Sequence, residues 1–243
     1  MKKIVGAPGS GARAFLARRI LQGEPPAGIE APKGPLVLVL PDADAVEDIA
    51  DAVKALGPLF GGKAEAVAVF GDDARERLAS LELLRTGVRL VLATPQGLNA
   101  PAPGRADFSA RTVRFRAGDL SPRDSAIDAL VAAGYQRVEF VESPGEFAVR
   151  GAVLDFHALE PAVAYRVLYD EDRVASIRPF DPISQEPSAV QAAAVATPAE
   201  EPQEGARVLD WLTEGALWLL GEGVEVEVPA GVPSLGLGRG AAA

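Results

Sequence analysis

Apolar positions along this chain fall into runs of two kinds. Over residues 36–40 they are continuous, which suits a strand buried on both faces of a sheet, and residues 88–93 read as another strand. Between these runs Val46, Ile49, Val53 and Leu56 recur at the 3.6-residue period and predict a helix over residues 43–56. Residues 65–70 read as a further strand and 75–84 as a second amphipathic helix. Upstream, residues 2–5 form a short β-like run, and Phe15, Leu16, Ile20 and Leu21 place a helix over 14–21. Strands alternating with helices through short connections predict a parallel sheet covered on both faces.

The pattern changes after Asn99. Residues 99–108 are rich in Pro, Ala and Gly and read as a passage into another unit, after which residues 112–116 alternate like a strand. Ser121 and Pro122 are expected to open a helix as N-cap and first helical residue, with Ile127, Leu130 and Val131 as its buried stripe up to Gly134. From Tyr135 to Asp181 short strands are separated by turn residues. Ser143, Pro144 and Gly145 form one turn, residues 147–156 read as one extended run with Arg150 and Gly151 in its middle, and residues 170–173 form a charged turn between 165–169 and 174–177. A small antiparallel sheet is expected here. Residues 187–205 are a linker by composition.

Composition narrows the function classes. A chain of 243 residues with 48% hydrophobic content buries enough for one or two compact units. No apolar run reaches bilayer length and no secretory h-region opens the chain, so a soluble, cytoplasmic protein with no membrane partner is expected. Zero Cys excludes disulfides, thiolate metal sites and cysteine nucleophiles, and a single His leaves little imidazole chemistry. A net charge of −10 argues against sequence-independent binding to a phosphate backbone, and only five of the 24 basic residues are Lys, which argues against a polybasic membrane patch.

Two places carry candidate chemistry. Gly6 and Gly11 have the spacing of a phosphate-binding loop between a strand and a helix, but Ala12 stands where the loop needs Lys and Arg13 where it needs a Mg²⁺-binding hydroxyl. Arg13 could touch an anion at a helix N-terminus without ligating Mg²⁺. The adjacent carboxylates Asp72 and Asp73, before a helix, suit N-terminal caps better than a metal. Arg150 is the second place, because a guanidinium in an apolar strand is costly unless it reaches water, a carboxylate or a partner. Strict alternation through the extended run would put it on one face with Ala148, Ala152, Leu154 and Phe156. Pairing with a surface Glu and contact with a partner are both open on that ground.

The order of residues in this stretch is more specific than any one motif. Gly134-Tyr135-x-Arg137-Val138 leads to Pro144 through Gly151, then Asp155, Tyr165-Arg166, Asp172, Ser176-Ile177-Arg178, Phe180-Asp181 and Gln185. This sequence resembles the UvrB-homology module of the bacterial transcription-repair coupling factor (Mfd) and, more distantly, the excision-repair protein UvrB. The resemblance implies an inserted domain that docks on UvrA, with Arg150 and Arg166 matching the docking arginines and Phe147, Gly151 and Tyr169 completing the contact set. Asp170 stands where the family often has a second aromatic. The tyrosine-rich DNA hairpin of UvrB has no counterpart, since no Tyr precedes Tyr135.

The resemblance also implies, as the alternative to a linker, a strand over 190–197 that returns the chain to the first domain, and it extends to residues 208–212 and 215–222, which look like the approach to a Walker B strand. There Gly221 replaces the Mg²⁺-binding Asp and only Glu222 remains. The expected fold is therefore α/β: a degenerate P-loop, helicase-like parallel-sheet domain over residues 1–108, an inserted α+β UvrA-binding domain over 109–187, and a return segment and tail over 188–243. The expected function is a non-catalytic adaptor that recruits nucleotide excision repair through UvrA, with no cofactor, metal or catalytic residue. RNA polymerase and DNA would be reached only through downstream domains. A nucleotide-regulated P-loop protein and a structural clamp of a longer chain are the alternatives. In full-length members a C-terminal domain covers the UvrA-binding face, so this chain is expected to bind UvrA constitutively.

Overall fold

The computed structural model describes residues 2–5, 9–26, 29–56, 66–159, 162–212, 215–229 and 232–238. In chain order its elements are β1 (Lys2–Val5), α1 (Ser10–Leu21), β2 (Leu36–Val39), α2 (Ala43–Leu56), β3 (Val67–Phe70), α3 (Ala74–Thr86), β4 (Leu90–Ala93) and α4 (Pro95–Asn99). There follow β5 (Pro101–Ala102), α5 (Arg105–Arg111), β6 (Val113–Arg116), α6 (Arg123–Ala132), β7 (Gln136–Arg137), β8 (Glu146–Arg150), β9 (Val153–His157), β10 (Ala164–Asp170) and β11 (Arg173–Phe180). The last are β12 (Ala193–Ala196), β13 (Ala206–Arg207), a 3₁₀ turn over Val208–Trp211, β14 (Leu217–Leu220) and β15 (Ser234–Gly238). They form two units, Met1–Pro101 with Ala206–Ala243, and Ala102–Gly205.

The first unit is built on a six-stranded sheet in the order β1-β15-β14-β2-β4-β3, and every pair in it is parallel. Strands β2, β4 and β14 are buried at every residue, as their unbroken apolar runs require. Alternate residues Leu36, Leu38, Leu90, Leu92, Leu217 and Leu219 meet Ile20 of α1 and Val46, Ile49 and Val53 of α2. Burial of apolar surface stabilises by about 25 cal/mol per Å², so this layer contributes substantially to the unit.

Helix α3 is tied to the neighbouring strand by side chains. Asp73 caps it by accepting from the Glu76 N–H at 2.9 Å, Ser80 Oγ accepts from the Val69 N–H at 2.8 Å, and the Arg77 guanidinium donates to the Gly71 carbonyl at 2.8 Å. In α4, a Cβ on Gly97 would stand 1.9 Å from the Phe70 carbonyl oxygen, so only glycine lets this turn approach β3. The passage expected over residues 99–108 thus includes ordered helix ends and strand β5.

The second unit carries a five-stranded sheet in the order β11-β10-β9-β8-β7, antiparallel except for the parallel β7–β8 pair, and a separate antiparallel β12–β6 pair. One face packs Phe147, Leu154, Phe156, Val167, Tyr169, Val174 and Ile177 against Phe115, Ala194, and Ala126 and Leu130 of α6. The segment read as linker or strand is strand at Ala193–Ala196, within this unit. Helix α6 departs from expectation at both ends of its stripe. It starts at Arg123, with Pro122 rather than Ser121 as N-cap and no side-chain cap, and Val131 is exposed, whereas Ala126 and Leu130 are buried. No helix among the described residues is long and apolar enough to cross a membrane.

Candidate partner-binding site

The run expected to be one extended strand is a hairpin. Arg150 pairs with Val153, and Gly151 occupies the intervening turn at φ +58, a region that disfavours side chains. Chain reversal after Arg150 changes which residues share its face. Phe147 pairs with Phe156 and Val149 with Leu154 towards the core, whereas Ala148 pairs with Asp155 on the other face, which is the face of Arg150. Leu154 and Phe156, expected beside Arg150, therefore lie on the opposite side.

Asp155 is the residue around which this second face is built. Its side chain is only 1% exposed, and it accepts from Arg150 at 2.6 Å and from Arg166 Nε and a terminal nitrogen at 2.9 Å each. The bond to Asp155 holds Arg166 above the ordinary arginine range. A buried carboxylate with no partner would cost several kcal/mol, so Asp155 in an apolar strand demands cations, and the two arginines answer that demand. Both keep open surface, with 40% of the Arg150 side chain and 25% of Arg166 exposed. Arg150 lies 5.1 Å over the Phe140 ring and Arg166 4.5 Å over that of Phe180.

A braced loop completes the rim. Asp181 Oδ1 accepts from the Ile183 and Ser184 N–H groups at 2.8 Å each, which also lowers the Asp181 pKa. Gln185, held at φ +62, accepts from Arg166 at 2.9 Å and donates from its side chain to the Pro182 carbonyl at 2.7 Å. Leu168 of β10 and Phe140 stay exposed on the unit's surface, and Arg178 of β11 stands directly across from Arg166.

Of the residues expected to contact a partner, Arg150 and Arg166 come together on one accessible face, and Gly151 lies exposed in the adjoining turn. Phe147 and Tyr169 do not join them. Both are buried in the core on the opposite face, because alternation along β8 and β10 sends them inward, so neither offers surface for contact. Asp155 was missed. Its signal was a lone carboxylate between apolar neighbours in Val153-Leu154-Asp155-Phe156, within reach of two arginines once the hairpin is recognised.

The glycine loop and the Gly221 segment follow β1 and β14, whose carboxyl ends lie along the same edge of a parallel sheet with β15 between them. Gly6 lies outside the described residues, as does Glu65 at the expected start of β3. Helix α1 already begins at Ser10 with Gly9 as N-cap, so Gly11, Ala12 and Arg13 belong to its first turn. The Gly221 N–H donates to the Val39 carbonyl at 2.8 Å, and a Cβ there would stand 3.0 Å from that oxygen; Glu222 is exposed. Among the described residues no group of three or more His, Asp or Glu is placed to hold a metal ion.

Residues 113–201, which contain the whole Arg150–Asp155–Arg166 cluster, match the family described as the UvrB interaction domain. The chain is 29% identical over 161 residues to the transcription-repair-coupling factor of Escherichia coli, covering 63% of this chain and 14% of that protein. It is 43% identical over 67 residues to the coupling factor of Haemophilus influenzae, 28% of this chain and 6% of that one. It is also 37% identical over 90 residues to UvrABC system protein B of Chlorobaculum tepidum, 37% of this chain and 13% of that one. The matched stretches are a small part of each longer relative, and the chain resembles their UvrB-homology module.

Proposed function

We propose that this chain is a non-catalytic adaptor that binds UvrA through the open face of its second unit and so recruits nucleotide excision repair. The observation that carries this reading is the cluster of Arg150 and Arg166 on Asp155, within the stretch that matches the UvrB interaction domain. A guanidinium already oriented by a buried carboxylate loses little freedom when it meets a carboxylate on a partner, and such preorganisation favours affinity. Exposed Leu168 and Phe140 supply apolar surface on the same unit.

The first unit is, in this reading, a motor-type domain whose nucleotide site has lost its chemistry. Ligands of open α/β sheets bind outside the carboxyl ends of the strands, and both the glycine loop and Gly221 follow such ends. Support for the loss comes from the residues themselves, since Ala12 has no ammonium and Gly221 no ligand atom. Titration of labelled chain with purified UvrA, with and without ATP and duplex DNA, tests the reading. Saturable binding is expected in every condition, and no binding in any of them would overturn it.

A further inference from the structure

We infer that Arg178 is a further residue of this face that grips a carboxylate of the partner, beside Arg150 and Arg166. This inference rests on the proposed adaptor reading and assigns a contact within it.

The argument is one of charge placement. Three guanidiniums stand on one sheet face, those of Arg150, Arg166 and Arg178, and Asp155 is the carboxylate that binds two of them. Arg166 spends Nε and a terminal nitrogen on Asp155 and bonds Gln185 as well, so most of its donors are committed within the chain. Arg178 pairs with Arg166 directly across β10 and β11, is exposed, and its guanidinium has no hydrogen bond or ion pair among the described residues. Like charges directly opposite on an antiparallel pair repel. The fold therefore keeps an unfavourable contact that an incoming anion would turn into a favourable one, with Arg178 presenting its free fork and Arg166 fixing its neighbour.

The anion is best a carboxylate on a protein surface. Phosphate backbones are bound by long arrays of cations, and this chain carries −10 overall with three guanidiniums gathered here. Exposed Leu168, two residues from Arg166 on its strand, adds an apolar contact suited to a protein interface.

The test replaces Arg178 by Gln and compares it with the parent chain and Arg150→Ala, reading UvrA affinity at two salt concentrations, duplex DNA binding and the melting temperature. Arg178→Gln is expected to weaken UvrA binding about tenfold or more, to flatten its salt dependence, and to leave the melting temperature unchanged or raised. Parent-like affinity in Arg178→Gln alongside weakened Arg150→Ala would overturn the inference and leave the adaptor reading standing. A lowered melting temperature would show Arg178 to be a structural residue, and loss of DNA binding with UvrA binding intact would make the ligand a phosphate; either overturns it. No binding of UvrA by the parent chain would remove the adaptor reading and this assignment together.

Discussion

Asp155 and Arg166 face each other across the β9–β10 pair, and the guanidinium closes on the buried carboxylate with two donors at 2.9 Å each. Arg150 reaches the same carboxylate with one nitrogen from the next strand. The two arginines are therefore unequal in what they do for the fold.

Arg166→Ala is expected to lower unfolding stability by about 3 kcal/mol, because Asp155 would keep only the contact to the more exposed Arg150. Urea denaturation measures it. A loss no larger than that of Arg150→Ala would show that the carboxylate does not depend on its two-donor partner.

Arg150→Ala is expected to change stability by less than about 1 kcal/mol, as its side chain is substantially exposed, and to weaken UvrA binding by about 2 kcal/mol, the threshold of an interface hot spot. Calorimetric titration and thermal melting of the same preparation separate the two. Equal losses in both would make Arg150 a structural ion-pair residue.

Addition of ATP and Mg²⁺ is expected to leave the melting temperature unchanged, since a ligand that binds only the native state must raise it. A rise of several degrees at millimolar ATP would restore a nucleotide site to the first unit. Reversion of Gly221 to Asp alone should not create one, because the new Cβ would press on the Val39 carbonyl at 3.0 Å.

His157, the chain's single histidine, is buried, and burial lowers its pKa against the opposing pull of the Ser143 backbone and Glu146. Unfolded, it takes up a proton near pH 6.5, so the unfolded chain binds more protons between its folded pKa and that value. Stability is then complete above about pH 6.5 and falls as pH drops below it. Melting temperatures from about pH 7.5 to about 5.5 should decline in the parent chain and stay level in His157→Gln. A parallel decline in both would assign the slope to other groups.

The strands and helices of the first unit from β1 to β4 were legible because each is written in one periodicity, whereas β15, a strand inside the sheet, lies in the Gly- and Pro-rich stretch read as a tail. Leu36–Val39 and Leu90–Ala93 are unbroken apolar runs, and Ala43–Leu56 keeps its helical stripe. The second unit was harder because its decisive feature is a two-residue turn without the usual Asn-Gly or Asp-Gly marker. Gly151-Ala152 passes for strand, and reading through it inverts the facing of every later residue in the run. That inversion hid Asp155. Phe147 and Tyr169 were misplaced for a related reason, since an aromatic beside a docking arginine looks the same in sequence whether it points outward or into the core. Val131 fell outside the stripe of α6 because Ala126, too small to stand out by hydropathy, takes part in the buried side.

The pairing of β1 with β15 sets an order on synthesis. Lys2 finds its partner, Leu235, only after more than two hundred further residues have been made, and β14, which sits inside the six-stranded sheet, is nearly as late. The second unit, by contrast, is the continuous stretch Ala102–Gly205. At about 5–20 residues per second, its sheet can close seconds before the parallel sheet has all its strands. A nascent chain that stops short of Leu217 would thus carry a finished arginine face beside an unfinished sheet that is still exposed to proteolysis.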